Sequence, residues 1–210
     1  EITAARPVNV DAARLTAALR QFRGEIEQVP PAFSAIKSSG QRAYKLAREG
    51  KPAQLMARRV HIEQISVIDF DAPDVTFELA CSAGTYVRSL AHDLGEKLGC
   101  GAHLAALRRT AVGPFSLRQA HTLAELAAAF HSGRGERHVL PPGAPLSDWP
   151  EIRLRDKDVR SLQHGKAVTV AGSIPSRLGL AYDSCGELVA VVEGQPAAGQ
   201  WQPRKVLTLA

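Results

Sequence analysis

The 210-residue chain is 45% hydrophobic and 22% charged, with 26 lysines and arginines against 21 acids and a formal net charge of +5. This balance is ordinary for a folded globular protein and argues against a disordered or fibrous chain. No apolar run approaches the roughly 20 residues that span a bilayer. The three cysteines, Cys81, Cys100 and Cys185, are widely spaced and show neither a disulfide framework nor metal-ligand spacing, which fits free thiols in a reducing cytosol. The excess of cations suits a nucleic-acid partner without requiring one. The first residue is Glu1 and the only methionine is Met56, so a processed or truncated product is expected.

Residues 10 to 24 have helical periodicity. Asp11 is the expected cap, Leu15, Ala18, Leu19 and Phe22 form the apolar face, and Gly24 is the stop. Residues 25 to 39 are expected to be extended or looped, because Pro30-Pro31 keeps its surroundings out of the helical region. Next comes a basic stretch, Lys37, Arg42, Lys45, Arg48, Lys51, Arg58 and Arg59, opposed within it only by Glu49, with Tyr44 among the cations and Gly40 and Gly50 bracketing a short helix. Such a stretch is either a solvated face or an arm that meets phosphates.

Residues 60 to 70 read as a strand, a turn follows over 69 to 74, and Val75, Phe77, Leu79 and Cys81 alternate with polar or small residues as a second strand. Gly84 suits a sharp turn, and Thr85 is the expected cap of a helix whose stripe is Val87, Leu90, Ala91, Leu94 and Leu98. Gly99 and Gly101 end it, and a strand is expected to follow, up to Phe115. On this helix Asp93 and Lys97 have the spacing of an (i, i+4) ion pair. A second helix spans 122 to 130, and residues 133 to 149, rich in Gly and Pro, read as a linker. A short helix at 156 to 163 and strands near 168–170, 178–182, 188–192 and 206–209 suggest a small barrel. The order of elements predicts an α+β fold with a mixed sheet, followed by a small β-rich domain.

Tyr86 and Arg88 open the helix at a strand–helix junction, a common place for a site. Tyr86 offers a flat face and a hydroxyl, and Arg88 a permanent charge with a planar fork. The alternative is a tyrosine packed on the sheet beside a surface cation. The seven histidines form no metal spacing with the cysteines. His103, at a turn, is either structural or an RNA contact.

The run from Cys81 through Thr85-Tyr86-Val87-Arg88 to Leu90, the segment Asp93 to Leu104, Leu107-Arg108-Arg109-Thr110, and upstream Gln28 to Lys37 closely resemble the bacterial tRNA pseudouridine synthases of the TruB family. The resemblance implies conversion of the T-loop uridine of tRNA, uridine-55, to pseudouridine, with no metal and no cofactor. It implies that Tyr86 stacks on the flipped base, that Arg88 pairs with a catalytic aspartate, that Leu107 lines the base pocket and that Arg109 supports the same wall. Lys37, Arg42, Lys45, Arg58, Arg59 and His103 are the candidate RNA contacts. Phe33 stands where the family pattern often has tyrosine.

Residues 1–132 are expected to be the C-terminal part of the synthase domain, with an RNA-gripping insertion at about 28–52. Residues 133–149 are the linker, and 150–210 a domain like the RNA-binding PUA type. The family's nucleophilic aspartate lies in a Gly-x-Leu-Asp-Pro-Leu-type loop that no position of these 210 residues matches. The sequence is therefore expected to be inactive alone and, as the whole protein, a cytoplasmic, monomeric enzyme acting on the tRNA T-stem loop away from membranes. The alternative is a tRNA-binding or tRNA-folding module without catalysis.

Overall fold

The structure is a computed structural model that describes residues 6–38, 40–51, 53–172, 174 and 177–207. It divides into two compact units, Glu1–Leu107 and Arg108–Ala210, and the protein is α+β.

In the first unit the order is α1 (Ala12–Arg20), β1 (Gly24–Gln28), β2 (Lys37–Ser38), β3 (Gln41–Arg42), α2 (Ala43–Arg48), β4 (Arg58–Asp71), β5 (Asp74–Cys81) and α3 (Val87–Leu98). Strands β1, β4 and β5 form an antiparallel sheet in that order, and β2 and β3 form a separate small hairpin. Asp11 caps α1 as its side chain predicts, accepting from Arg14 N at 2.7 Å. The helix ends at Arg20, earlier than its periodicity suggests, because Gln21 and Phe22 bond back three residues in a tighter turn. Gly24 then opens β1 at φ 92°.

One face of the sheet is covered by the two longer helices. Leu15, Ala18, Leu19 and Phe22 of α1 and Leu90, Leu94 and Leu98 of α3 close over Ile62, with Ile26, Ile65, Val67, Val75, Phe77 and Leu79 half-buried around them. Each fully buried leucine contributes about 1.5–3 kcal/mol. The Arg14 guanidinium donates to Leu98 O at 2.9 Å and Asn9 O at 3.2 Å, so one cation satisfies the C-terminal end of α3 and ties it to α1.

Two local expectations on α3 are corrected. Thr85 does not cap the helix: its hydroxyl donates to Ser82 O at 2.9 Å and closes the turn that Gly84 makes at φ 88°, so Tyr86 takes the N-cap position without a capping side-chain bond. Lys97 does not pair with Asp93. Its ammonium bonds Gln21 Oε1 and lies 5.6 Å from the centre of the Phe22 ring, drawn to the end of α1 instead.

The second unit begins with the hairpin β6 (Ala111–Val112) and β7 (Phe115–Ser116), then α4 (Leu123–His131) and 3₁₀ turns at Gly135–His138 and Ala144–Leu146. There follow β8 (Glu151–Arg153), α5 (Asp156–Gln163), β9 (Leu178–Tyr182), β10 (Leu188–Gln195) and β11 (Gln200–Val206). The last four strands form one sheet in the order β11-β10-β9-β8, parallel only between β8 and β9. Leu162 of α5 buries against Ile152, Val168, Ala181, Val189, Val192 and Trp201. Residues 168–170 contribute a single bridge, Val168 to Trp201, rather than a strand. The last strand described is Gln200–Val206, and of the expected span 206–209, Thr208 and Leu209 fall outside the described residues. Burial raises the Tyr182 pKa, with Glu151 adding to the rise, and Gly143 sits so close that a Cβ there would lie 2.2 Å from the tyrosine oxygen.

A sharper close approach fixes the end of α3. Gly101 N donates to Gly95 O at 3.0 Å, and a Cβ on Gly95 would lie 2.0 Å from Ala102 N and 2.3 Å from Gly101 C. Elsewhere in a helix Gly→Ala gains about 1 kcal/mol. Here Gly95→Ala is expected to destabilise by about 1–3 kcal/mol, because backbone must move. Urea unfolding of the two proteins checks the sign.

Candidate functional site

The first turn of α3 is held by residues from the end of β1. Gln28, the last residue of that strand, is 2% exposed. Its Oε1 accepts from Tyr86 N at 2.7 Å and its Nε2 donates to Tyr86 O at 3.0 Å. The side-chain amide thus does for Tyr86 what a neighbouring strand would do, beyond the point where β5 has left the sheet. After Gln28 the chain enters Val29-Pro30-Pro31, where two residues lack an N–H and the backbone stays extended. The carbonyls there need donors, and α3 supplies them: Ser89 Oγ donates to Val29 O at 2.7 Å and Arg88 Nη2 to Phe33 O at 2.9 Å.

Tyr86 and Arg88 are therefore placed by one short seam. The tyrosine is half-buried and its hydroxyl has no partner among the described residues. Arg88 is exposed and commits one nitrogen to Phe33 O. Its remaining donors have no other partner among the described residues, at a helix start that favours negative charge. The arrangement offers a ring face and an orientated fork for an anion.

The basic stretch follows directly. Lys37 and Arg42 are cross-strand partners in the β2–β3 hairpin. The first amides of α2 dock on the preceding loop, Ala43 N to Ile36 O at 2.7 Å and Tyr44 N to Ser34 O at 3.0 Å. Lys45 on α2 is exposed, and the Arg48 guanidinium lies 5.6 Å from the centre of the Tyr44 ring. Arg58 and Arg59 begin β4 opposite Gln28 and Glu27. His103 and Leu107 lie in the irregular stretch after α3, Leu107 62% exposed and His103 exposed without a hydrogen bond among the described residues. Arg109 is exposed at the start of the second unit.

Gln28 and Ser89 are the positioning residues that site reasoning from sequence passed over. Their signals were a polar residue directly before a Val-Pro-Pro run and a serine immediately before the buried Leu90.

The fold matches known structures. The described architecture has a TM-score of 0.72 with a chain of the structure "Crystal Structure of a Cbf5-Nop10-Gar1 Complex", at 25% identity over 96% of this chain and 62% of that one. A similar value, 0.74, is found with "Structure of H/ACA RNP bound to a substrate RNA containing 2'-deoxyuridine", at 24% identity. The class is thus that of the pseudouridine-synthase fold. Residues 1–87 match the model for TruB family pseudouridylate synthase (N terminal domain), and residues 88–145 that for the tRNA pseudouridylate synthase B C-terminal domain. The tRNA pseudouridine synthase B of Thiobacillus denitrificans is 43% identical over 99% of this chain and 68% of its own length, and that of Pseudomonas aeruginosa is 45% identical over 80% and 56%. The chain belongs to the TruB family of pseudouridylate synthases, and it spans about half to two thirds of those relatives.

If the Gln28 amide sets the tyrosine, Gln28→Leu leaves the Tyr86 amide N–H buried without a partner. The expected loss is about 1–3 kcal/mol, with faster hydrogen exchange at the Tyr86 amide and little change at Leu180 in β9.

Proposed function

We propose that this chain belongs to a tRNA pseudouridine synthase that isomerises the T-loop uridine, and that it supplies the base-holding wall and much of the tRNA surface. The observation that carries the reading is the Tyr86–Arg88 pair on the first turn of α3, clamped by Gln28, Ser89 and Phe33 O, in a chain 43% identical to a tRNA pseudouridine synthase B.

The reaction breaks the bond from ribose C1′ to N1, turns the base and joins C5 to C1′; C5 releases its proton and N1 takes one up, so the product is an isomer of the substrate. Tyr86 holds the detached ring by its face, which constrains the base to a plane while leaving rotation within that plane free. Arg88 keeps the family's aspartate ionised, since a guanidinium never gives up its proton at working pH and an opposite charge favours the carboxylate. Leu107 excludes water from the base and Arg109 supports that wall. Taking a loop uridine out of its stack costs a few kcal/mol, which base stacking and phosphate contacts offset. The phosphate contacts come from Lys37, Arg42, Lys45, Arg58 and Arg59, with His103 a further RNA contact. Residues 1–132 form the synthase part, with the gripping insertion at about 28–52, joined through 133–149 to a PUA-like domain at 150–210. No helix among the described residues is long and apolar enough to cross a membrane. The whole protein is read as a monomer, and the three free cysteines suit the reducing cytoplasm.

Tritium release from 5-labelled uridine in a T-stem-loop RNA tests the assignment, in the protein that carries the family's aspartate loop. Arg88→Ala is expected to slow release by roughly 10²–10³-fold or more, as loss of a preorganised charge partner does, while RNA affinity stays within about threefold. Surviving turnover overturns the role of Arg88. Salt-dependent tRNA binding without any release by the unaltered protein would favour a binding module instead.

A further inference from the structure

The second unit joins a self-sufficient part to one that lacks a core of its own. From Glu151 to Val206 the β-rich part closes around Leu162, Val189 and Trp201, and no large apolar side chain there is exposed among the described residues. Between Arg108 and Pro150 the opposite holds. Only Gly135 and Gly143 are buried in that stretch, and no residue of it belongs to either hydrophobic core. Val112, Leu117, Leu123, Phe130, Val139 and Leu140 are all exposed.

Helix α4 is the centre of this stretch. Leu123, Leu126, Ala127 and Phe130 stand at i, i+3, i+4 and i+7, the stripe by which a helix docks. None of them is buried: Leu123 is 87% exposed and Phe130, which Gly135 touches on part of its ring, 55%. The helix is nonetheless held in shape at its start. Glu125 N donates to Thr122 Oγ1 at 3.2 Å, and Thr122 N donates to Glu125 Oε2 at 2.7 Å. His138 Nδ1 lies 3.1 Å from His121 Nε2, which ties the returning turn Gly135–His138 to the same end. That turn does not cover the stripe, because it lies along Glu125, Ala128 and Ala129 with Arg134, Arg137 and His138. A helix of nine residues is marginal in water by itself and is ordinarily sustained by packing of its apolar face.

We infer that the stripe of α4 is a docking surface for the part of the synthase outside these 210 residues, which covers it with an apolar face. The Thiobacillus denitrificans relative is matched over 68% of its length, so roughly a third of such a protein is available as the occupant. RNA fits the stripe poorly. Binding a polyanion draws on cations, and the stripe has no charge, Glu125 being the only acid or permanent charge on the helix. The same cover accounts for the exposed residues on both sides of α4, which the β-rich part leaves untouched. The inference rests on membership of the family and not on the T-loop reading.

Amide hydrogen exchange and thermal melting of the complete synthase are the tests. Covered, the amides of α4 are expected to exchange about 10²-fold or more slowly than in the unfolded chain, and protection below about tenfold overturns the dock. Leu123→Glu gives the two cases opposite signs. On an open helix an acid in the first turn is neutral or stabilising. Under a covered stripe it is expected to lower Tm by about 5 °C or more. An unchanged or raised Tm overturns the dock, as does an equal loss from Ala124→Glu, which lies off the stripe. Sedimentation that shows a dimer, split by Leu123→Glu, assigns the stripe to a second copy and also overturns it. Tritium release by the same wild-type protein keeps the two readings apart. Release with an unprotected α4 sinks the dock alone, and a protected α4 without release supports the dock and counts against the T-loop reading.

Discussion

One buried amide governs the orientation of everything at the start of α3. Backbone groups leaving a sheet lose their ladder partners, and an unpaired buried N–H or C=O costs more than an ordinary hydrogen bond returns. Gln28 meets that need for the Tyr86 N–H and adds a second donor to a carbonyl that Leu90 N also bonds at 3.0 Å, so the Tyr86 backbone is fixed relative to the sheet. Arg88 and Ser89 follow on the same turn, and their bonds to Phe33 O and Val29 O answer a matching need across the Pro30-Pro31 step. The seam serves backbone satisfaction first. It leaves an aromatic ring and a charged fork on one short segment, the two groups on which the proposed function draws.

The other end of α3 is fixed by a different constraint, steric rather than polar. The approach of Ala102 to Gly95 leaves no space for a methyl group, and Arg14 from α1 occupies the carbonyl of Leu98. The chain therefore leaves α3 in one direction, through Gly99 and Gly101, both at positive φ. The path toward Leu107 starts from that fixed exit. A helix pinned at both ends by unlike forces makes a rigid support for side chains on its first turn.

The sequence made the elements legible where one force dominated. The apolar stripe of α3, the Asp11 cap and the span of α5 follow from periodicity and capping chemistry, and the structure reproduces them. It was less informative where one polar group had two candidate partners. Thr85 had a helix amide to accept from and a turn carbonyl to donate to, and the turn won. Lys97 had Asp93 one turn away and Gln21 across the helix pair, and it took the one that also offered the Phe22 ring. At the candidate site, pattern alone left Tyr86 and Arg88 between a site and a packed ring beside a surface cation, and the resemblance to the TruB family singled them out. The role of Gln28 was not legible, since a glutamine gives no local sign that its amide will replace a strand.

Charge placement separates the cations of the basic stretch from one another. Arg59 stands opposite Glu27 in the sheet, and the neighbouring register pairs His61 with Glu25 at 3.0 Å. The acids of β1 thereby offset part of the positive field at the start of β4. Arg48 is turned toward the Tyr44 ring. Among the described residues, Lys37, Arg42 and Lys45 have no acid paired with them, and the first two are cross-strand neighbours, a juxtaposition that is unfavourable by itself. Like charges kept adjacent across a two-residue hairpin gain from an anion between them, because a phosphate turns the mutual repulsion into two attractions. By that reasoning the hairpin and the first turn of α2, rather than the start of β4, carry the larger share of the proposed grip on RNA.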